Sequence, residues 1–438
     1  MQEKHYVIKT VLKMVILLIA SAVVGTILLC AANCLPTERI RQNVKESVDI
    51  LVEEGDHFNL FSKKDFMKQD NYTDANYLNA AMVDNSAKGI FTGLYGIEYE
   101  NTLEKIEYDS PVTVLNNVFA QDAVLGYKEY GRRFWNGYEI IVKLLLELFT
   151  YKQIRYINCF LELTLLAILM VLLHKNHLDG CIFPTAVSYL FLSPIPMAGS
   201  LSFGGYLYCT YIFCIVMLKY NDTIQKRRWY PLFFMFVGIC VAYFNMNYFQ
   251  LISFGYITIF YYLLNGFPKT KKTAIFGFIS MFACWGAGFF GMYVMKWVVY
   301  ELCTGLPLIS DMIARTMYRI SATAYYTGPP ISRLEALGRN IYNTVTNFPW
   351  MIVEIGYCIW IGISLKKNKE DRTFKEMIRG RAPVYILFIL MVLLVLLRYI
   401  VFANHVYVHA WVMYRNTDAI VLFFNILIFQ IAYRKKEE

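Results

Sequence analysis

The sequence predicts an all-α polytopic membrane protein of about ten transmembrane helices, with a large, mostly helical first extracytoplasmic loop. Three observations carry this reading. Of 438 residues, 57% are hydrophobic and only 17% are charged, unlike a soluble domain. Apolar runs of roughly 18 residues or more, the length that crosses a bilayer, recur along the chain. Lysines and arginines gather in alternating loops, which fixes one orientation for the whole chain. The 34 Tyr and 32 Phe suit rings seated at the two membrane interfaces.

The first apolar run covers about 11–32, within a first unit of 1–35. Lys4, Lys9 and Lys13 place the N-terminus in the cytoplasm. A cleaved signal peptide is the competing reading; the long run and the lack of a small-residue cleavage site before Pro36 argue against it. A polar extracytoplasmic segment follows at 36–150. Ile40, Val44, Val48 and Leu51 recur at helical spacing and predict an amphipathic helix ending near Gly55. Thr73 is placed to cap a second helix, with Asp74 in its first turn and Tyr77, Leu78, Ala81 and Met82 as its apolar side. The stretch 85–96 reads as loop, and 111–120 reads equally as extended or as a short helix. The stretch 127–148 interleaves Tyr127, Tyr130, Phe134, Trp135 and Tyr138 with Lys128, Arg132, Arg133 and Lys143, and predicts a helix lying in the interface plane.

The remainder, 151–438, reads as a transmembrane bundle. Spans are predicted at about 154–173, 181–198, 206–218, 230–246, 249–264, 274–300, 350–365, 384–401 and 419–433. Pro184, Pro194 and Pro196 should break the second of these, and 199–205 reads as re-entrant. Lys226-Arg227-Arg228, Lys269 with Lys271-Lys272, the cluster 366–381 and Arg434-Lys435-Lys436 all fall on the side of the N-terminus, giving an N-in, C-in chain. The segment 36–150 carries the opposite bias, a net charge of −7. Two further outer loops cover about 301–348 and 402–417. The location implied is the cell (plasma or inner) membrane, with the lipid bilayer as a partner.

Composition and motif also exclude. Of ten cysteines, Cys159, Cys209, Cys214, Cys240, Cys284 and Cys358 fall in apolar runs, none lies in 36–150, and no CxxC occurs, so neither a zinc site nor a redox pair is indicated. The net charge of +9 is distributed by membrane side and gives no reason to expect a nucleic-acid partner. No P-loop, dinucleotide fingerprint or internal repeat is present.

Four groups of residues are candidates for chemistry. Glu53, Glu54, Asp56, Asp70 and Asp74 lie in the first outer segment; Asp70 and Asp74 are the candidate catalytic acids, able to accept a proton or to meet a divalent cation such as Mg²⁺ or Mn²⁺. The bland reading makes Asp74 a favourable charge on its helix N-terminus and Asp70 a solvated residue. Arg132, Arg133, Arg315, Arg319 and Arg415, with Arg333 and Arg339 nearby, sit outside against the usual charge bias, and guanidinium recognises phosphate bidentately. Against this stand headgroup contacts, or an ion pair of Arg315 with Asp311. His405 and His409, at i and i+4, are placed to contact a phosphate or sugar, or to serve as interfacial structure; no strong third ligand follows them for zinc. Glu162, Glu354 and Arg398 fall within apolar runs, where Arg398 and Glu354 are spaced to pair.

A family resemblance rests on these motifs. Asn43-Val44-x-x-Ser47, Glu54-Gly55, Asp70-Asn71-x-Thr73-Asp74, Arg133-Phe134-Trp135-Asn136-Gly137-Tyr138, Gln153-Ile154-Arg155-x-Ile157-Asn158 and Asn404-His405-x-x-x-His409-Ala410-Trp411-x-x-Tyr414-Arg415 resemble a group of bacterial polytopic membrane proteins similar in layout to the GT-C class of glycosyltransferases. The resemblance implies a catalytic carboxylate in the first outer loop, amphipathic helices along the membrane, and a polyprenyl-phosphate-linked sugar as donor to a glycan acceptor. The chain departs from that pattern in lacking a tight Asp-x-Asp or Asp-Glu pair directly after the first span. Two other classes remain: a transporter or flippase of lipid-linked glycans, which calls for broken helices in two halves, and a non-enzymatic envelope assembly protein that uses the outer segment for binding.

Overall fold

The computed structural model describes residues 2–60, 64–83, 89–99, 110–120, 125–128, 133–244, 248–323, 328–368 and 381–433. Among the described residues, seven helices are long and apolar enough to cross a membrane: His5–Ala32, Tyr151–Lys175, Leu201–Lys226, Lys271–Thr304, Phe348–Lys367, Ala382–Val401 and Ala410–Ala432. The chain is a multi-pass, predominantly helical membrane protein. Two shorter apolar helices, Tyr230–Phe244 and Leu251–Asn265, pack among them.

The first membrane helix, α1 (Gln2–Ala32), turns Val11, Val15, Ile19 and Val23 outward, as a lipid-facing helix must, since nothing else covers them. The polar segment then folds as α2 (Glu38–Lys45), α3 (Val48–Glu54), α4 (Asn71–Ala81), α5 (Pro111–Ala120) and α6 (Tyr138–Leu146). A small antiparallel pair, β1 (Gly96–Tyr99) and β2 (Leu125–Lys128), accompanies them. The predicted stripe Ile40, Val44, Val48 and Leu51 is buried, divided between α2 and α3 by a break at Ser47. Gly55 ends α3 with a positive φ of 70°, a conformation free of Cβ strain only for glycine. The undecided stretch 111–120 is helical. These elements bury a cluster of their own, with Leu78, Met82, Leu115 and Leu146 at its centre, sealed against Tyr151 and Ile154 of the next helix.

Two expectations for this segment change. Of the helix expected across 127–148, residues 127–128 belong to β2 and 129–132 lie outside the described residues; α6 begins only at Tyr138, because the chain turns at Asn136, whose φ is +53°, and Gly137 donates its backbone N–H to the Tyr243 carbonyl at 2.8 Å. Lys143, expected on a polar face, is buried; its ammonium donates to Asn33 Oδ1 at 3.0 Å and to the Val83 carbonyl at 2.7 Å. Ile141, Leu144 and Leu148 are exposed instead, which leaves the interfacial face in place.

The bundle continues as α7 (Tyr151–Lys175), α8 (Ile182–Phe191), α9 (Pro194–Gly199), α10 (Leu201–Lys226), α11 (Tyr230–Phe244), α12 (Leu251–Asn265) and α13 (Lys271–Thr304). Thr150 and Gln153 form a reciprocal capping box that starts α7. The prolines break the 181–198 run as expected, between α8 and α9, where Ser193 adopts a left-handed conformation. Of the stretch 199–205, expected to be re-entrant, Gly199 ends α9 and residues 201–205 form the first turn of α10, which kinks further on at Tyr220. Helices α11 and α13 meet backbone to backbone, because Gly238 and Gly288 leave no side chain between them. The chain ends with α14 (Ile309–Ile320), α15 (Arg333–Val345), α16 (Phe348–Asn368), α17 (Ala382–Val401), α18 (Ala403–Val408), α19 (Ala410–Met413), a 3₁₀ turn Tyr414–Thr417 and α20 (Asp418–Ala432). Arg398 and Glu354 do not pair: Arg398 donates to the Tyr248 carbonyl at 3.0 Å, and Glu354 accepts from Asn425 at 2.9 Å. Both charges find a polar partner nearer than each other.

The glycine contact is testable within one helix. A Cβ at Gly288 would lie 2.0 Å from the Met235 carbonyl oxygen, whereas one at Gly286 would meet only the Phe290 ring, at 3.7 Å. Gly288→Ala should lower the detergent-solubilised melting temperature, with a loss of about 1–3 kcal/mol from overpacking. Gly286→Ala should leave it unchanged.

Candidate functional site

The polar segment reaches the bundle through the N-terminus of α4. The chain leaving α3 runs out and back: Asn59 and Lys68 form an isolated antiparallel bridge, Gln69 N–H donates to the Phe58 carbonyl at 2.8 Å and Tyr72 N–H to the Asp56 carbonyl at 2.9 Å. Asn71 donates to the Gly55 carbonyl and to Glu54, each at 2.9 Å. Arg155 of α7 then grips Glu54 with two N–H groups, at 2.9 and 2.8 Å, and Asn71 Oδ1 at 2.7 Å. Glu54 is therefore committed to a partly buried ion pair.

Asp70, not Thr73, is the N-cap of α4: its Oδ1 accepts the Thr73 backbone N–H at 3.1 Å. Ser202 donates to its Oδ2 at 3.3 Å, and its own backbone N–H donates to Ser200 Oγ at 2.9 Å. Asp74 lies one turn on, fully enclosed. Its Oδ2 accepts from Tyr151 OH at 2.6 Å and from the Leu201 N–H at 2.8 Å, and its Oδ1 accepts from the Ser202 N–H at 3.0 Å. Asp74 thus caps α10 from another part of the chain, meeting two amides that the helix cannot satisfy itself. Burial pushes Asp74 up to about 6, opposed by the Tyr151 hydroxyl and the Leu201 amide. Burial also raises Asp70, opposed by its bonds to Thr73, Ser202 and Tyr248. The two candidate acids stand together, each tied into the scaffold.

An open cavity of about 610 Å³ is lined by Asp65, Lys68, Glu335, Gly338, Arg339, Tyr342, Asn343, Tyr407, Val408, Ala410 and Trp411, and by neither Asp70 nor Asp74. Three stretches distant in sequence build it. The 3₁₀ turn Asp65–Met67 supplies Asp65, whose carboxylate pairs with Lys68 at 3.0 Å and accepts from Asn343 at 3.2 Å while staying partly exposed. Helix α15 supplies Glu335, Arg339, Tyr342 and Asn343. The segment of α18 and α19 supplies Tyr407 and Trp411. Arg339 stacks 3.7 Å from the Tyr407 ring centroid and lies 3.6 Å from Glu335. Lys68 lies over the Trp411 ring, which also meets His57 and Phe203, with centroids 5.0 and 6.1 Å away. The cavity therefore offers two carboxylates, two cations and two aromatic faces, an inventory suited to a polar ligand with hydroxyl groups and a planar or stacked surface.

The remaining expected residues are dispersed. Arg132 lies outside the described residues. Arg133 forms a two-pronged pair with Asp311, at 2.6 and 3.3 Å, taking the partner expected for Arg315. Arg319 donates to Asn404 at 3.3 Å, and neither it nor Arg315 lines the cavity. Arg415 is fully buried and donates to three backbone carbonyls: Leu192 at 3.0 Å, Trp411 at 3.4 Å and Phe66 at 3.4 Å. Through Phe66 it supports the turn that presents Asp65. The rings of His405 and His409 lie 4.8 Å apart, at the break between α18 and α19, and His409 also faces Tyr248. Burial, with Arg319 and His57 nearby, pushes His409 down to about 3. Among the described residues no three His, Cys, Asp or Glu side chains gather to hold a metal ion.

Asp65, Lys68 and Asn343 are the residues that sequence reasoning passed over, and Trp411 entered it only within the motif that ends at Arg415. A signal existed for part of them. Glu335, Gly338, Arg339, Tyr342 and Asn343 recur at helical spacing, a polar stripe on one face of α15.

Two measurements separate scaffold from site. An amide offers one acceptor oxygen where a carboxylate offers two, so Asp74→Asn should strand a donor at α10, cost about 1–3 kcal/mol of stability and so lower the melting temperature. For His409, the folded pKa lies below the ordinary 6.5. Protonation therefore favours unfolding, and the stability it contributes is full above 6.5 and declines as pH falls toward 3. His409→Gln should flatten the acid side of the curve of melting temperature against pH. No family model, curated protein or solved structure matches this chain, so the site stands on its own geometry.

Proposed function

We propose that the chain is a membrane glycosyltransferase of GT-C type, transferring a sugar from a polyprenyl-phosphate donor to a cell-envelope glycan or other acceptor. The observation that carries this reading is the cavity that joins an accessible carboxylate, Asp65, to two cations and two aromatic faces at the mouth of a membrane bundle. The N-in, C-in orientation given by the basic loops turns that mouth to the extracytoplasmic face of the cell membrane.

In this reading Asp65 accepts the proton of the acceptor hydroxyl as its oxygen attacks the anomeric carbon. The bond between that carbon and the phosphate oxygen breaks, and the polyprenyl phosphate leaves with the electron pair. Lys68 and Arg339 meet the developing negative charge. Trp411 and Tyr407 supply faces for a sugar ring. Asp70 and Asp74 hold the framework behind Asp65. A second, apolar cavity of about 300 Å³, lined by Ile157, Leu161, Ile212 and Phe213 among others on α7 and α10, is suited to a hydrocarbon chain.

One observation favours a transporter of lipid-linked glycans as the second reading. The break between α8 and α9 and the 3₁₀ turn before α20 are joined through Arg415, so two interrupted membrane segments meet.

Purified protein in lipid vesicles, given a panel of polyprenyl-phosphate sugars and glycan acceptors, distinguishes the readings. Asp65→Asn should cut the rate of new glycosidic bonds by roughly 10²-fold or more, the range for loss of a general base, without lowering the melting temperature. An undiminished rate in that variant refutes the assignment of Asp65. Leaflet exchange of the lipid without bond formation assigns the chain to transport.

A further inference from the structure

We propose that α14 and α15 lie in the plane of the bilayer interface, so that the cavity opens onto lipid and its ligand arrives as the headgroup of a membrane lipid. The chemical identity of that ligand rests on the glycosyltransferase reading; the placement of the helices does not.

Helix α15 has two unlike faces side by side. Glu335, Arg339 and Asn343 form the stripe that lines the cavity. Leu334, Ile341 and Val345, spaced seven and four residues apart, form an adjoining stripe that nothing in the fold covers, with exposures of 72%, 50% and 52%. Tyr342, itself exposed, stands between the stripes as the lip of the cavity. At 13 residues α15 is about 20 Å long, too short to cross a hydrocarbon core of about 30 Å. It lies against the membrane rather than through it.

The chain itself says what covers the apolar stripe. Only residues 346–347 separate α15 from α16, a membrane-spanning helix whose first turns expose Phe348 and Ile352. The C-terminus of α15 is therefore pinned at the depth where a lipid-facing surface begins, and its own stripe continues that surface. Helix α14 repeats the arrangement from the other side. Residues 305–308 connect it to α13, which ends with Leu302 81% exposed. Ile313 and Met317 are exposed on one face of α14, and Asp311, Arg315 and Arg319 lie on the opposite face. Two strongly amphipathic helices, each tethered within four residues to a membrane span, place their apolar faces at the boundary between headgroups and acyl chains. The wall shared by cavity and lipid is then one helix thick, with Tyr342 at its edge.

The test uses the full chain in vesicles of phosphatidylcholine with phosphatidylglycerol as the minor component. An environment-sensitive fluorescent amino acid is introduced by amber suppression at Ile341, Val345 or Met317, and at Glu335 as the cavity-side control. Phosphatidylcholine brominated on its acyl chains should quench the three apolar positions at least about two-fold more than the control, and aqueous iodide should show the reverse order. The unmodified chain, photolabelled in the same vesicles by a phospholipid carrying a diazirine on its acyl chain, should take label in the peptides that contain Leu334, Ile341 and Val345. Iodide quenching at 341 and 345 equal to that at 335, or positions shielded from both quenchers as under a protein partner, overturns the proposal. Lipid quenching with no glycosyl transfer in the Asp65 assay keeps these helices in the membrane and removes the enzyme reading; transfer without lipid quenching does the opposite.

Discussion

A carboxylate at the start of a membrane helix holds the two parts of this protein together. Asp74 belongs to the polar segment, and Leu201 and Ser202 belong to α10, yet the carboxylate accepts both of their backbone amides. A helix N-terminus buried without such a partner would carry unsatisfied donors in a low-dielectric setting, where each is costly. The same side chain takes the Tyr151 hydroxyl, so α7 joins the contact. One turn earlier Asp70 starts α4 and receives Ser202, and beyond it Arg155 binds Glu54 and Asn71. The polar segment is thereby locked on α7 and α10 before any apolar packing is counted, and everything it presents, including Asp65, inherits that register.

The opposite problem, stranded carbonyls at a helix break, is solved by cations and amides. Arg415 donates to Leu192, Trp411 and Phe66, and Asn347 donates to Phe191 at 2.8 Å. Inside a membrane protein irregular backbone persists only where side chains satisfy it. Asp418 similarly sits at the start of α20, held by Ser188 and by Tyr256 at 2.9 Å. Interrupted helices allow the chain to turn within the bundle, and their repair by Arg415 reaches as far as the turn that carries Asp65.

The cavity is the consequence. Its floor and walls come from residues 65–68, 335–343 and 407–411, which meet only because the polar segment is docked and the break near 409 directs Trp411 back toward Lys68. The acids differ in setting: Asp70 and Asp74 are buried among fixed donors, whereas Asp65 stays partly exposed at the cavity. One of its walls is helix α15, whose adjoining stripe of Leu334, Ile341 and Val345 is exposed.

The sequence by itself determined the membrane character, because long apolar runs have no other stable environment. It also located the polar segment, the buried stripe from Ile40 to Leu51 and the proline break after α8, since each is a local consequence of periodicity or of a missing N–H. It marked Asp70 and Asp74 as unusual, and they are, but by burial. Tertiary structure alone decided their partners, because those of Asp74, Tyr151, Leu201 and Ser202, lie 77 to 128 residues away in the chain and leave no trace in local spacing. The same holds for Arg133, which found Asp311, and for Arg415, which found only carbonyls. Asp65 looked ordinary in the chain because accessibility, the property that distinguishes it, exists only once Asn343 and Trp411 have been brought opposite.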